Sequence, residues 1–141
     1  MKVKLKKLKE NTVIPKHAKI GDCGFDLTAT SVSVENGVST YGTGLSIEIP
    51  EGFVGLLFPR SSIYKTNLIQ SNSVGVIDSS YRGEIMVKFY NYKAFALGGA
   101  YNVGDRIAQL TIIPYPEIEF EEVQELETSE RGEGGFGSSG K

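Results

Sequence analysis

The chain has 141 residues, of which 40% are hydrophobic and 23% charged, and its formal net charge is −2 at pH 7. This length predicts one domain, and this charge argues against a basic surface for binding nucleic acid. No apolar run reaches the roughly 20 residues of a membrane-spanning helix, and a single cysteine permits no internal disulfide, so we expect a cytoplasmic protein with no membrane partner.

Short runs of alternating apolar and polar residues predict an all-β fold. The first run is lysine-rich and is expected at a sheet edge, and the run that ends at Pro59 is nearly all apolar and is expected in the core. The last run is acidic, with Ile118, Phe120 and Val123 facing inward. In chain order, the predicted strands span residues 2–6, 45–49, 53–58, 85–90, 106–114 and 117–126.

Only residues 61–67 are suited to a helical turn. Many short strands with frequent turns are typical of a β-sandwich or of a small barrel, and the pattern alone does not separate the two. The glycine-rich end differs in composition from the rest of the chain. We therefore expect a β-barrel domain at residues 1–128 and a flexible arm at residues 129–141.

Five short blocks, four of which contain glycine, occupy residues 21–27, 59–62, 72–83, 104–109 and 131–140. All four arginines of the chain lie inside these blocks, whereas most of the lysines lie outside them. Guanidinium groups bind phosphate oxygens in a two-point geometry, and glycine-rich backbone supplies further N–H donors. The blocks therefore predict a phosphorylated small-molecule ligand.

The arm contains most of a P-loop pattern, Gly135 followed by Gly140 and Lys141. A P-loop also needs a preceding strand and a following helix, which this position does not offer. A glycine-rich terminal arm can still close over a phosphate ligand, and Phe136 within it is suited to stacking on a planar base.

Among the carboxylates, Asp78 has the setting best suited to catalysis. An apolar pair precedes it and a Ser-Ser-Tyr turn follows, which predicts partial burial at a hairpin and a carboxylate able to accept a proton from water. Asp26 has a similar apolar setting. Asp22 and Asp105 flank glycines and suit turns equally well.

In their order and spacing, the five blocks resemble the motifs of the dUTPase family, the all-β homotrimeric dUTP diphosphatases. The resemblance extends from Gly21 to Gly140 and implies a jelly-roll-like β-barrel. It also implies that three subunits assemble each active site and that one of them contributes its C-terminal arm. The implied reaction is Mg²⁺-dependent hydrolysis of dUTP to dUMP and diphosphate, which limits uracil incorporation into DNA and supplies dUMP for dTMP synthesis.

The resemblance also implies a role for each matching position. Asp78 would be the general base that activates water for attack on the α-phosphorus. Asp26 would hold Mg²⁺ through water, and Tyr81 would pack on the deoxyribose. The other implied substrate-binding residues are Arg60, Ser61, Ser62 and Gln109 for the phosphates, Asn72, Gly75, Val76, Ile77 and Met86 for uracil, and Arg131, Phe136, Gly137 and Ser138 on the arm.

Two positions depart from the family pattern. Cys23 replaces a common alanine and is expected to be a small buried filler, and Ser62 replaces a common glycine. Arg82 and Arg106 are expected to be structural, pairing with Glu84 or Asp105.

The sequence leaves two alternative functions open. The dCTP deaminase family shares the fold but places a catalytic glutamate ten residues after the aspartate, where this chain has Lys88. Some phage relatives of the dUTPase family also bind repressors or inhibitor proteins, so a dUTP-dependent regulatory binding protein, with a regulatory protein partner, is the second alternative.

Overall fold

The computed structural model describes residues 1–92 and 100–138, and within them it confirms the predicted all-β class. A 3₁₀ turn at Ser61–Lys65 confirms the predicted helical turn. In chain order, the strands are β1 (Lys4–Lys7), β2 (Phe25–Thr28), β3 (Ser31–Glu35), β4 (Val38–Gly42), β5 (Leu45–Glu48), β6 (Phe53–Pro59), β7 (Leu68–Gln70), β8 (Gly75–Ile77), β9 (Met86–Asn91) and β10 (Arg106–Pro114).

Two antiparallel sheets of four strands form the body of the fold. One has the strand order β2-β10-β6-β8 and the other β3-β4-β9-β7, and a two-stranded ribbon pairs β1 with β5. The described strands form separate hydrogen-bonded sheets and not one closed barrel, in a jelly-roll-like arrangement. The lysine-rich first strand lies at an edge, as predicted.

The core lies between the sheets and confirms the predicted alternation. β10 lies between β2 and β6, and its residues Ile107, Ala108 and Leu110 are at most 2% exposed. β6 is also an inner strand of this sheet, as expected from its apolar sequence. The inward faces of the two alternating runs supply Leu45, Ile47, Ile49, Ile85, Val87 and Phe89, all buried.

The acidic strand predicted at residues 117–126 is wrong. These residues form no strand, and Phe120 is 95% exposed. Pro114 and Pro116 come directly before them, and proline lacks the N–H group that a sheet ladder requires. The last strand of the body therefore ends at Pro114.

The hairpin of β3 and β4 was not predicted from the alternation. It turns at Asn36 and Gly37, whose φ angles of 50° and 77° are both left-handed, as a type I′ turn requires. Among the described residues, none lies in a helix of the length and apolarity that crossing a membrane requires.

Candidate active site

A cavity of about 200 Å³ opens beside β8, at one edge of the first sheet. β8 pairs antiparallel with β6, so Gly75 and Ile77 turn inward while Val76 is exposed. Seven of the nine lining residues were predicted as site residues, and Leu57 and Ile85 were not. The lining comprises Leu57, Asn72, Gly75, Val76, Ile77, Asp78, Tyr81, Ile85 and Met86.

Asp78 lies at this cavity directly after the end of β8. The predicted partial burial is wrong, because Asp78 is exposed. The chain leaves the sheet after Ile77 and turns outward, and the Tyr81 N–H donates to the Asp78 carbonyl at 3.1 Å to close the turn. The carboxylate is therefore open to water at the mouth of the cavity.

Tyr81 is held against the turn that follows Asp78. Its hydroxyl donates to the Glu84 carbonyl at 3.0 Å, and a Cβ built on Gly83 would overlap the Tyr81 ring. Arg82 donates to the carbonyls of Ser79 and Tyr81, so its expected pairing with Glu84 or Asp105 is wrong. The guanidinium therefore donates hydrogen bonds to backbone carbonyls of its own turn and stabilises that turn.

A second cavity, of about 630 Å³, collects four of the residues predicted for the phosphates and the metal. Gln109 of β10 is the cross-strand partner of Asp26 on β2, which brings residues distant in sequence together. Two lysines add positive charge to the lining. The lining residues are Lys16, Ala18, Lys19, Asp22, Cys23, Gly24, Asp26, Arg60, Ser61 and Gln109.

The carboxylate of Asp26 is shared by two arginines. Arg60 donates from Nε to Oδ1 at 2.8 Å and from Nη2 to Oδ2 at 3.3 Å. Arg106 donates from Nη1 to Oδ2 at 3.0 Å, so its expected pairing with Asp105 or Glu84 is wrong. Arg60 also reaches the hydroxyl of Ser62 at 3.4 Å, which places Ser62 beside this group.

Asp26 fits a metal held through water and not a direct ligand cluster. Among residues 1–92 and 100–138, no three His, Cys, Asp or Glu side chains come together as metal ligands. A carboxylate offers about four lone-pair positions, and the two guanidinium groups occupy three of them. One position remains to accept a hydrogen bond from a metal-bound water.

The Gln109 side chain depends on a glycine opposite it. Its Nε2 donates to the Pro59 carbonyl at 3.1 Å. A Cβ built on Gly24 would lie 2.6 Å from Gln109 Oε1, so a larger residue there would displace this amide from its observed position.

Cys23 also lines the second cavity, and the prediction that it is a buried filler is wrong because it is exposed. Its Sγ lies 3.9 Å from Thr111 Oγ1. The residue follows the turn at Gly21 and Asp22, before β2 enters the sheet, so it remains at the surface.

The described part of the arm forms a third cavity, of about 590 Å³, lined by Glu130, Arg131, Gly134 and Ser138. Arg131 Nε donates to the Gly134 carbonyl at 2.8 Å, and the Ser138 N–H donates to the Gly135 carbonyl at 3.0 Å. Phe136 is fully exposed, with a φ of 48°, and Gly137 follows it with a φ of 89°. The last three residues of the predicted arm, 139–141, lie outside the described residues.

The three cavities share no lining residue. The residues predicted for the base and sugar, for the phosphates, and for the arm therefore lie in three separate places on one chain. Asn72 was predicted, but the buried Gln70 that contacts its amide was not. A glutamine within a short strand gives no signal in the alternation pattern.

The chain matches the dUTPase family model over residues 10–140. The deoxyuridine 5'-triphosphate nucleotidohydrolase of Rhodococcus erythropolis is 42% identical over 99% of this chain and 87% of the relative. The protein of the same name from Nautilia profundicola is 41% identical, and the match covers 100% of both chains.

Two solved phage structures are also similar to this chain. The Staphylococcus bacteriophage 80alpha dUTPase with dUPNHPP has a TM-score of 0.84 and 32% identity over 99% of both chains. Phage dUTPases such as this one control transfer of virulence genes. A mutant dUTPase from phage phi11 of Staphylococcus aureus has a TM-score of 0.75 and 28% identity over 91% of this chain and 100% of its own, and it coordinates a structural Mg(II) ion.

Proposed function

This chain belongs to the dUTPase family, and we propose that it hydrolyses dUTP to dUMP and diphosphate with Asp78 as the general base. The observation that carries the proposal is the meeting of Asp78, Tyr81 and the edge strand β8 around one cavity. This arrangement supplies a base-reading backbone, a ring for the sugar and a water-activating carboxylate next to one another.

The base is read at β8. This strand is at the edge of its sheet, so it pairs with β6 on one side and offers unpaired backbone N–H and C=O groups on the other. Uracil carries alternating acceptors and donors at O2, N3–H and O4, which such an edge can match. Asn72 adds a side-chain donor, and Met86 closes the cavity from β9.

The chemical step is proton removal followed by substitution at phosphorus. The exposed carboxylate of Asp78 accepts a proton from a water molecule, whose oxygen then bonds to the α-phosphorus. The bond from the α-phosphorus to the oxygen that bridges to the β-phosphate breaks, and diphosphate leaves with that electron pair. The proton passes from Asp78 to solvent.

The triphosphate is held in the second cavity. The Arg60 guanidinium is oriented by Asp26, and Ser61, Gln109 and the exposed Lys16 and Lys19 lie around it. The lining carries three cationic side chains and two carboxylates, those of Asp22 and Asp26, and the remaining positive charge favours an anionic chain of phosphates.

We propose Mg²⁺ as the metal, held through water at Asp26 and mainly by the phosphates. When bound, it neutralises charge on the triphosphate oxygens. Asp26 contributes a hydrogen-bond acceptor for a water ligand, and Arg60 keeps that carboxylate in place.

A homotrimer accounts for the separation of the three cavities. We call the cavity beside Asp78 and Tyr81 the base cavity and the cavity beside Arg60 and Gln109 the phosphate cavity. We propose that each site is formed by the base cavity of one copy, the phosphate cavity of a second and the arm of a third. Arg131 and Ser138 then reach the phosphates, while Phe136 covers the uracil with the flexibility that Gly137 gives to its segment. Light scattering after size-exclusion chromatography should give three times the chain mass, and a monomer that is fully active would contradict this arrangement.

The function is tested by offering the purified protein dUTP, dCTP, dTTP and UTP, each with Mg²⁺, and measuring the release of monophosphate and diphosphate. dUTP should be hydrolysed well and the other three poorly. Release of ammonia from dCTP would instead support a deaminase, although Lys88 occupies the position where that family has its glutamate.

A regulatory role is the second candidate, favoured by the similarity to the 80alpha phage dUTPase. It would accompany hydrolysis, because every implied catalytic position is filled. Pull-down of a protein partner that depends on added dUTP would support this role, and recovery that is unaffected by nucleotide would count against it.

A further inference from the structure

Gln70, at the end of β7, is a buried polar side chain next to the base cavity. The residue is 4% exposed, and its Oε1 has no hydrogen-bond partner among the described residues. An unpaired buried acceptor destabilises a fold, so an apolar side chain would serve packing better at this position. The contribution of this glutamine therefore lies at its other amide atom, Nε2.

Nε2 of Gln70 faces three oxygen atoms. They are the Leu57 carbonyl at 3.0 Å, the Ser73 carbonyl at 3.3 Å and Asn72 Oδ1 at 3.3 Å. Backbone carbonyls only accept hydrogen bonds, so the Gln70 atom that faces them has to be the NH₂ group. The Asn72 atom next to it then has to be the oxygen, since two NH₂ groups would oppose each other.

The amide nitrogen of Asn72 consequently points to the cavity wall. A Cβ built on Gly75 would lie 3.3 Å from Asn72 Nδ2, and both residues line the base cavity. An N–H donor at this wall can bond to a carbonyl oxygen of the base. It forms no hydrogen bond with an amino group of the base, because both groups would present N–H donors. Uracil has a carbonyl at C4, where cytosine has an amino group.

Gln70 also fixes the turn that carries Asn72. Ser73 has a left-handed φ of 56°, which is uncommon for a residue with a side chain. The Gln70 carbonyl accepts from the Ser73 N–H at 3.2 Å, and Gln70 Nε2 donates to the Ser73 carbonyl. The same residue thus closes the turn from both sides.

We propose that Gln70 is a positioning residue for base selection. It holds the Asn72 carboxamide with Nδ2 toward the cavity, and the cavity therefore selects pyrimidines with a 4-oxo group over those with a 4-amino group. This inference rests on the proposed function and names the residue behind its specificity.

The test is Gln70→Met, which keeps the length of the side chain and removes its donor. The KM for dUTP should rise while kcat changes little, and the ratio of kcat/KM for dUTP over dCTP should fall about tenfold, the scale of one lost hydrogen-bond discrimination. Gln124→Met is the matched control, because Gln124 is exposed and outside the cavities, and its ratio should stay at the wild-type value. A purely structural role for Gln70 would lower the rates for both substrates alike and leave the ratio unchanged, and that result would overturn the inference.

A second comparison tests whether Gln70 acts through Asn72. In an Asn72→Ala background, Gln70→Met should no longer change the ratio, because the amide that it orients is gone. An equal fall in both backgrounds would overturn the inference.

An NMR measurement on the ¹⁵N-labelled wild-type protein keeps the inference testable if Gln70→Met does not fold. Added dUMP should shift the side-chain NH₂ signals of Asn72, and unshifted signals at saturation would overturn the inference. A wild-type protein that does not favour dUTP over dCTP overturns the proposed function and this inference together. A ratio in Gln70→Met that equals the wild-type value overturns this inference alone.

Discussion

Asp26 and Arg60 form a two-point ion pair, with Nε donating to Oδ1 at 2.8 Å and Nη2 to Oδ2 at 3.3 Å. Both side chains are about three-quarters buried, at 25% and 24% exposed. The planar fork of the guanidinium is thereby held in one orientation before any substrate binds. Arg60 is thus arranged for phosphate by a residue 34 positions earlier in the chain.

Asp26→Asn should therefore impair both the fold and the phosphate site. We expect a loss of roughly 1–2 kcal/mol in the free energy of unfolding, below the value for a fully buried pair because both groups retain some solvent. kcat/KM for dUTP should fall, and the Mg²⁺ concentration for half-maximal activity should rise. Urea unfolding and a Mg²⁺ titration measure the two effects, and an unchanged Mg²⁺ requirement would remove Asp26 from the metal site.

Asp78→Asn should lower kcat by roughly 10²–10⁴, the usual range for loss of a general base, while substrate still binds. The amide keeps the size of the side chain but cannot accept the proton from water. Single-turnover kinetics and calorimetry with a non-hydrolysable dUTP analogue separate rate from affinity. Glu51→Gln, at an exposed carboxylate outside the cavities, is the matched control, and a mutant at position 78 with a normal kcat would refute the assignment.

Gly83→Ala should weaken the exclusion of ribonucleotides. The added methyl group would overlap the Tyr81 ring, so the ring has to move away from the sugar position. We expect the ratio of kcat/KM for UTP over dUTP to rise. Tyr81→Ala should raise it further, and a ratio that neither variant changes would show that Tyr81 does not contact the sugar.

Removal of the chain from Arg131 onward should leave a folded protein with little activity. The hydrogen bonds of Arg131 and Ser138 described above connect arm residues with one another, so the body has no need of them for stability. Thermal melting and dUTP hydrolysis test the two parts of this expectation. Full turnover by the truncated protein would mean that the arm does not close over the substrate.

The protein should lose stability in alkaline solution. Burial raises the pKa of Tyr41 above its ordinary value of 10.0, and its hydroxyl donates a hydrogen bond to the Tyr101 carbonyl. The unfolded chain then releases this proton at a lower pH than the folded chain does, so the free energy of unfolding falls as pH rises past about 10. Tyr41→Phe should reduce that slope in urea unfolding, whereas Tyr115→Phe, at an exposed position, should not.

The alternation pattern predicted strands where each one buries a single face. Val87 and Phe89 illustrate this, because both are buried and Lys88 between them is exposed. The same pattern failed at Ile118 and Phe120, whose apolar side chains lie exposed on a segment without a pairing strand. Periodicity reports which face is apolar, but it does not report whether a neighbouring strand is available.

Site residues could be predicted from the sequence where they belong to a recognisable motif. Asp78 and Tyr81 were located through their sequence block, and both line the base cavity. The pairing of Arg106 with Asp26 depends on the register between β10 and β2, which no local pattern encodes. The Asn-Gly pair at 36–37 was a usable hairpin signal, since both residues tolerate left-handed backbone.

Cys23 is the single cysteine of the chain, and its thiol opens onto the cavity that contains Arg60. A maleimide dye would consequently attach at one place only, with no engineering of the protein. Nucleotide in that cavity would shield the thiol, so the rate of dye coupling becomes a direct optical assay of occupancy that requires no turnover.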